Sequence, residues 1–182
     1  TSGAADGTVP PGQVLHAPWG PYEDVLVVDA LAGPIQFNIP QEGLPLGSAA
    51  LDAVRRSGIT AVNLTVNGRG EGDVGAYEAT LGRMAEWSAQ IQASPDVLAP
   101  GRSVADIVAA KEAGTLALVY GLQDGVPFED DLDRLDALYA EGVRIIQPTY
   151  NVQNRLGAGC LAPDGEGLTE LGRESVARME AQ

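Results

Sequence analysis

Histidine, cysteine and cationic side chains are all scarce in this 182-residue chain. There is one cysteine, Cys160, and one histidine, His16. A single thiol excludes an internal disulfide and any zinc site built on cysteine. Cys160 has no histidine beside it in sequence to lower its pKa, so it reads as a structural or idle thiol. His16, in a Pro/Gly-rich stretch, reads as solvated, and one histidine alone builds no His-rich zinc site. A Ser-His-Asp triad would have to recruit it, and no Gly-x-Ser-x-Gly elbow is present. Lysine and arginine number 11 against 25 acidic residues, a formal charge of −14. That balance argues against nucleic acid, whose phosphates need a cationic face, and against anionic lipid surfaces. No apolar run approaches the roughly 18 residues of a membrane span. No Gly-x-Gly-x-x-Gly follows the first expected strand and no P-loop occurs, which makes a nucleotide site a weak reading. Residues 1–7 lack a starting methionine, a basic segment and an apolar leader core. A processed or trimmed end is expected, with the compartment open between cytoplasm and export after leader removal.

What is present is a repeated joint. Gly58, Gly114 and Gly142 each end a helical pattern and run straight into an apolar strand-like segment. A glycine there supplies the left-handed residue that closes a helix, and repeated helix-Gly-strand joints chain β/α units together. The strands expected are 25–29, 59–66, 115–122 and 143–147. Val25–Val28 is nearly continuous in apolar residues, as for a parallel strand buried on both faces. Helices are expected over 47–57, 73–94, 103–113, from about 130 to 141, and 169–181. Tyr77, Leu81, Met84, Trp87 and Ile91 form one apolar stripe on the long helix. Ser103 and Asp106 form a capping-box-like start. Asp130 and Asp131 are expected at the start of the fourth helix, where negative charge suits the dipole. Residues 1–22 read as an extended N-terminal arm. Residues 23–182 read as four β/α units with an extra helix pair between the second and third strands. The fold class is α/β, the N-terminal half of a (β/α)8 TIM-type barrel, with a small open α/β sheet as the alternative.

In parallel barrels the reactive groups sit at the C-terminal ends of the strands. Those positions here are Asp29, Asn67, Gln123-Asp124 and Thr149-Tyr150-Asn151. Asp29, Gln123 and Tyr150 are the catalytic candidates, and Tyr150, Asn151 and Asn67 the substrate-binding ones. Asp29 is suited either to ligating a metal or to capping loop backbone. Gln123 is suited to hydrogen-bonding a ligand.

Several runs share one register. They are Leu118-Val119-Tyr120-Gly121-Leu122-Gln123-Asp124-Gly125, Gly142 to Asn151, and Gly167-Leu168-Thr169-Glu170-Leu171-Gly172-Arg173-Glu174, preceded by Val27-Val28-Asp29 and Gly58 to Asn63. In order over residues 24–180 they resemble the membrane (renal) dipeptidase family of zinc metallopeptidases. The resemblance implies a (β/α)8 barrel with two zinc ions that hydrolyses dipeptides and related amides. Family members are much longer than this chain. A second chain or a C-terminal half is therefore expected to complete the barrel, with a small peptide-like substrate and an oligomeric assembly. Three positions depart from the family. Aligned on Asp29, the two zinc-ligand positions of the first strand hold Leu31 and Gly33. The zinc-bridging glutamate position holds Gln123, a neutral side chain and a poor bridge between two cations. The position of a substrate-contacting histidine holds Tyr150. Zinc is thus expected from the family, while no metal ligand can be assigned in this chain. The competing reading is a non-zinc, divergent or inactive member acting as a binding subunit or scaffold. A half-barrel would also leave apolar edges at the first and last strands, which bare would aggregate.

Overall fold

The computed structural model describes residues 24–34, 43–69, 75–162 and 167–182. The expected arm, with His16, lies outside these residues. Five parallel strands form one sheet: β1 (Val28–Asp29), β2 (Ala61–Thr65), β3 (Leu98–Pro100), β4 (Leu116–Leu122) and β5 (Val143–Ile146). The helices are α1 (Ser48–Ser57), α2 (Ala76–Ala93), α3 (Val104–Ala113), α4 (Asp133–Glu141) and α5 (Glu170–Glu180). β1 pairs with β2 and β2 with β4, while the far edge of β4 is shared. Its first half pairs with β3 and its second half with β5. The three glycine joints form as expected, with φ of 71°, 69° and 121° at Gly58, Gly114 and Gly142.

β4 is buried along all seven residues, and its alternate side chains feed two cores. Leu116, Leu118, Tyr120 and Leu122 join the main core with Ala50 and Val54 of α1, Met84 and Trp87 of α2, and Leu135 and Leu138 of α4. Fully burying side chains of this size contributes about 1.5–3 kcal/mol each. The stripe expected on α2 is the one buried: Tyr77, Leu81 and Ile91 pack partly exposed beside Met84 and Trp87. On the opposite face Ala61 and Ala117, with Ala99, meet Ile107 and Ala110 of α3. Handedness explains this placement. The chain advances from β1 to β2 with α1 on one face, but from β3 it steps back to β4. A right-handed crossover then requires the helix on the other face. Alanines on three neighbouring strands give α3 room to lie close.

Three expectations are corrected. The stretch between the second and third expected strands is not only a helix pair. It contains β3, too short at three residues to show a period-2 pattern. The first strand is not buried on both faces: Val25 is 52 %, Leu26 47 % and Val28 57 % exposed. β1 pairs on one side only, with β2. Finally, Asp130 and Asp131 precede α4, whose first turn carries Asp133 and Asp136 instead. Asp131 Oδ1 accepts the Asp133 backbone N–H, so it caps the entry without joining the helix.

α5 is tied back to α4 by charge. The Arg178 guanidinium donates to Asp136 through Nε at 3.0 Å and to Asp133 through Nη2 at 2.6 Å. These hydrogen bonds hold the Asp136 carboxyl below its ordinary pKa. A depressed carboxyl contributes stability above its unfolded-state pKa and loses it as pH falls through the folded value. We therefore expect thermal stability to drop on acidification below about pH 4, and to drop less steeply in Asp136→Asn. Melting curves across that range check it.

Candidate active site

The ends of β2 and β4 are joined by Asn67, two residues beyond β2. Its Oδ1 accepts the Gln123 backbone N–H at 2.6 Å, and its Nδ2 donates to Asp124 Oδ1 at 3.1 Å and to the Asp124 carbonyl at 3.2 Å. One side chain thus fixes the turn that leaves β4. Asp124 Oδ1 accepts again from the Val126 N–H at 3.2 Å. Gly68 follows because α2 passes close by: a Cβ there would collide with the Ala79 and Thr80 backbone. Thr80 Oγ1 instead accepts the Gly68 N–H at 2.9 Å.

The segment after β5 folds back on itself. Gln147 N–H donates to the Leu122 carbonyl, and Gly125 N–H to the Pro148 carbonyl, joining the two strand ends. The Tyr150 and Asn151 carbonyls accept the Cys160 and Leu161 N–H groups at 2.8 and 2.9 Å. Asn154 Nδ2 donates to the Pro148 carbonyl at 2.8 Å, while its Oδ1 accepts from the Leu156 and Gly157 N–H groups. Leu156, fully buried, seats this loop in the main core.

Between these strand ends lies a cavity of about 500 Å³. Asn67, Gln123, Tyr150 and Asn151 all line it, together with Asp124, Arg69 and Arg83. Asp29 does not. Its Oδ1 accepts the Leu31 N–H at 3.0 Å, an arrangement that orients the loop after β1. Cys160 is exposed, with Sγ 3.5 Å from Asn151 Oδ1. Arg83 went unnoticed in the sequence, where only the apolar stripe of α2 stood out. Its position three residues after Thr80, the side chain that receives Gly68, is the signal that it faces the strand ends.

The donor set does not fit a pair of zinc ions. Among the described residues no three His, Cys, Asp or Glu side chains group to hold a metal. The cavity offers neutral amides, a phenol and one carboxylate already engaged by two N–H donors. Leu31, which the resemblance aligns with a zinc ligand, is exposed beside β1, and Gly33, the other position so aligned, has no ligating atom beyond its backbone.

The family model for membrane dipeptidase (peptidase family M19) matches residues 36–181. The chain belongs to the membrane dipeptidase family. It is similar to the crystal structure of an amidohydrolase from Pseudomonas aeruginosa, at 32 % identity and a TM-score of 0.72, over 88 % of this chain and 44 % of that one. It shares its fold with a metallopeptidase from Rhodobacter sphaeroides liganded with a phosphinate mimic of the dipeptide L-Ala-D-Ala, at 14 % identity and a TM-score of 0.64, over 86 % and 56 % of the two chains. An uncharacterised Klebsiella pneumoniae protein encoded in the pqqA 5′ region is 36 % identical over 85 residues, 43 % of this chain and 31 % of its own. The chain thus spans less than half the length of the first curated relative and of the first solved structure it matches. The sheet and its flanking helices correspond to part of the dipeptidase barrel.

Asn67→Ala removes the acceptor of a partly buried N–H together with two donated bonds. It is expected to cost about 1–3 kcal/mol, read from urea melts. Asn67→Asp keeps the acceptor but sets a second carboxylate against Asp124, so its defect should shrink as pH falls towards the carboxylate range.

Proposed function

We propose that this chain forms the strand-end half of a dipeptidase-like cleft. The cleft takes a small peptide-like substrate and hydrolyses its amide bond once a C-terminal half, in a second chain or in the same polypeptide, completes the rim. One observation carries this reading: a cavity of about 500 Å³ at the C-terminal ends of parallel strands, the place where barrel enzymes put their chemistry. Family membership and the dipeptide mimic held by a fold neighbour support it. In that cleft Asn67 is the organiser. Gln123 and Asn151 present amides that pair with peptide groups, and Tyr150 presents a phenol at the mouth. The apolar surface at Val25, Leu26, Val28 and Ile145, each more than 40 % exposed, is where completing elements would dock. No helix among the described residues is long and apolar enough to cross a membrane.

A second reading is favoured by the donor set. With Gln123 where the family has a bridging glutamate, the cleft acts as a binding or scaffolding member that uses no zinc. Metal analysis of the native assembly, followed by assay on a dipeptide panel, separates the two. Stoichiometric zinc with dipeptide cleavage is expected of the hydrolase. An assembly with no metal that cleaves nothing would leave only the binding reading.

A further inference from the structure

We propose that a second cavity, at the carboxyl end of β3, binds a small uncharged aromatic ligand that carries an amide-like N–H and C=O. The cavity measures about 330 Å³, and its described lining shares no residue with that of the strand-end cavity.

The cavity follows from how the far edge of β4 is shared. β3 pairs with it as far as Pro100 opposite Leu118, and β5 takes over from Val143 opposite Tyr120. From β3 the chain leaves to α3 on the alanine face, whereas β5 is entered from α4 on the leucine face. Connections that part to opposite faces open a crevice at a strand's carboxyl end, the place where α/β sheets take ligands. Glycine keeps this crevice open. Gly142, with φ of 121°, lines it without a side chain, and a Cβ there would press on Arg102 Nε at 3.1 Å. Arg102 itself is held across the crevice by donating from Nη2 to the Glu141 carbonyl at 3.2 Å.

The lining sets the ligand class. Ile91, Pro100 and Leu118 supply apolar walls, and a guanidinium such as that of Arg102 stacks on aromatic ring faces. Arg102 and Asp106 line the cavity side by side, the Asp106 carboxylate accepting the Arg102 backbone N–H at 2.9 Å. An entering ion therefore meets one charge of each sign, and its desolvation goes uncompensated. The remaining polar groups suit an amide. Ser88 Oγ lies 3.1 Å from the Tyr120 hydroxyl, which donates to the Met84 carbonyl at 3.4 Å. In that chain Ser88 donates to Tyr120 and keeps its lone pairs for an N–H of the ligand. Gln92, one turn further along α2 and exposed, carries a carboxamide that pairs with an amide in both directions. Apolar walls with a few placed polar groups are the usual make-up of a small-molecule site.

The test is titration of the full chain, with any chain that co-purifies, followed by amide NMR with three isosteric probes: benzamide, benzoate and benzamidinium. Benzamide is expected to bind at least about tenfold more tightly than either ion, with shifts at Leu118, Tyr120 and Gly142. Ser88→Ala/Gln92→Ala, which places good helix formers on α2, is expected to weaken benzamide about tenfold while toluene, which has no amide, binds as before. Either ion binding as tightly as benzamide would overturn the uncharged class. Shifts confined to Gln123, Tyr150 and Asn151 would overturn this cavity as the site. Unchanged benzamide affinity in the double variant, or an equal loss of toluene, would overturn the pairing assigned to Ser88 and Gln92. No binding of benzamide at millimolar concentration would overturn the proposal outright. The peptide cleft stands or falls separately, because its described lining uses none of these residues.

Discussion

Every part of the sheet is positioned through β4. β2 lies along one edge of it, β3 and β5 divide the other, and β1 attaches through β2. Such a strand can have no solvated face, and none of its residues is exposed. Its alternation of large and small side chains then decides where the helices go. Leucines and Tyr120 on one face need the thick layer formed by α1, α2 and α4. Alanine, valine and Gly121 on the other leave room for close neighbours: α3 at one end, and near the other the Asn63 carboxamide, which lies where a Cβ on Gly121 would be.

The cleft follows from how β4 ends. A buried strand must hand its last backbone groups to partners once its neighbours diverge. Asn67 meets this need by accepting the Gln123 N–H and holding Asp124. Gln123 is thereby set in the cavity wall, and Asp124, the one carboxylate among the described lining residues, is drawn into internal hydrogen bonds. Arg69 and Arg83 reach the lining from the loop after β2 and from α2. The described lining offers amides, a phenol, guanidinium groups and one carboxylate held in internal hydrogen bonds.

Much of the framework was legible because it rests on local rules. The glycine joints, the α2 stripe and the Ser103–Asp106 cap depend on residues close in sequence, and each forms as read. The strand-end rule pointed to Asn67, Gln123, Tyr150 and Asn151, which share one cavity. What escaped depends on distant pairing. β3 is a strand only because β4 offers it an edge, and Leu98-Ala99-Pro100 carries too little pattern to announce that. The exposure of Val25–Val28 is set by what lies beside β1, which an apolar run cannot report. Arg83 belongs to the site through the approach of α2 to Gly68, a tertiary contact hidden beneath a helical period.

The central claim is that the Asn67 side chain closes the end of β4 and so shapes the cleft. Amide hydrogen exchange at Gln123 tests it most directly. The account predicts protection close to that of the β4 amides, because the N–H is held by Asn67 Oδ1. Exchange at the rate of an unprotected turn, with β4 itself still protected, would contradict it.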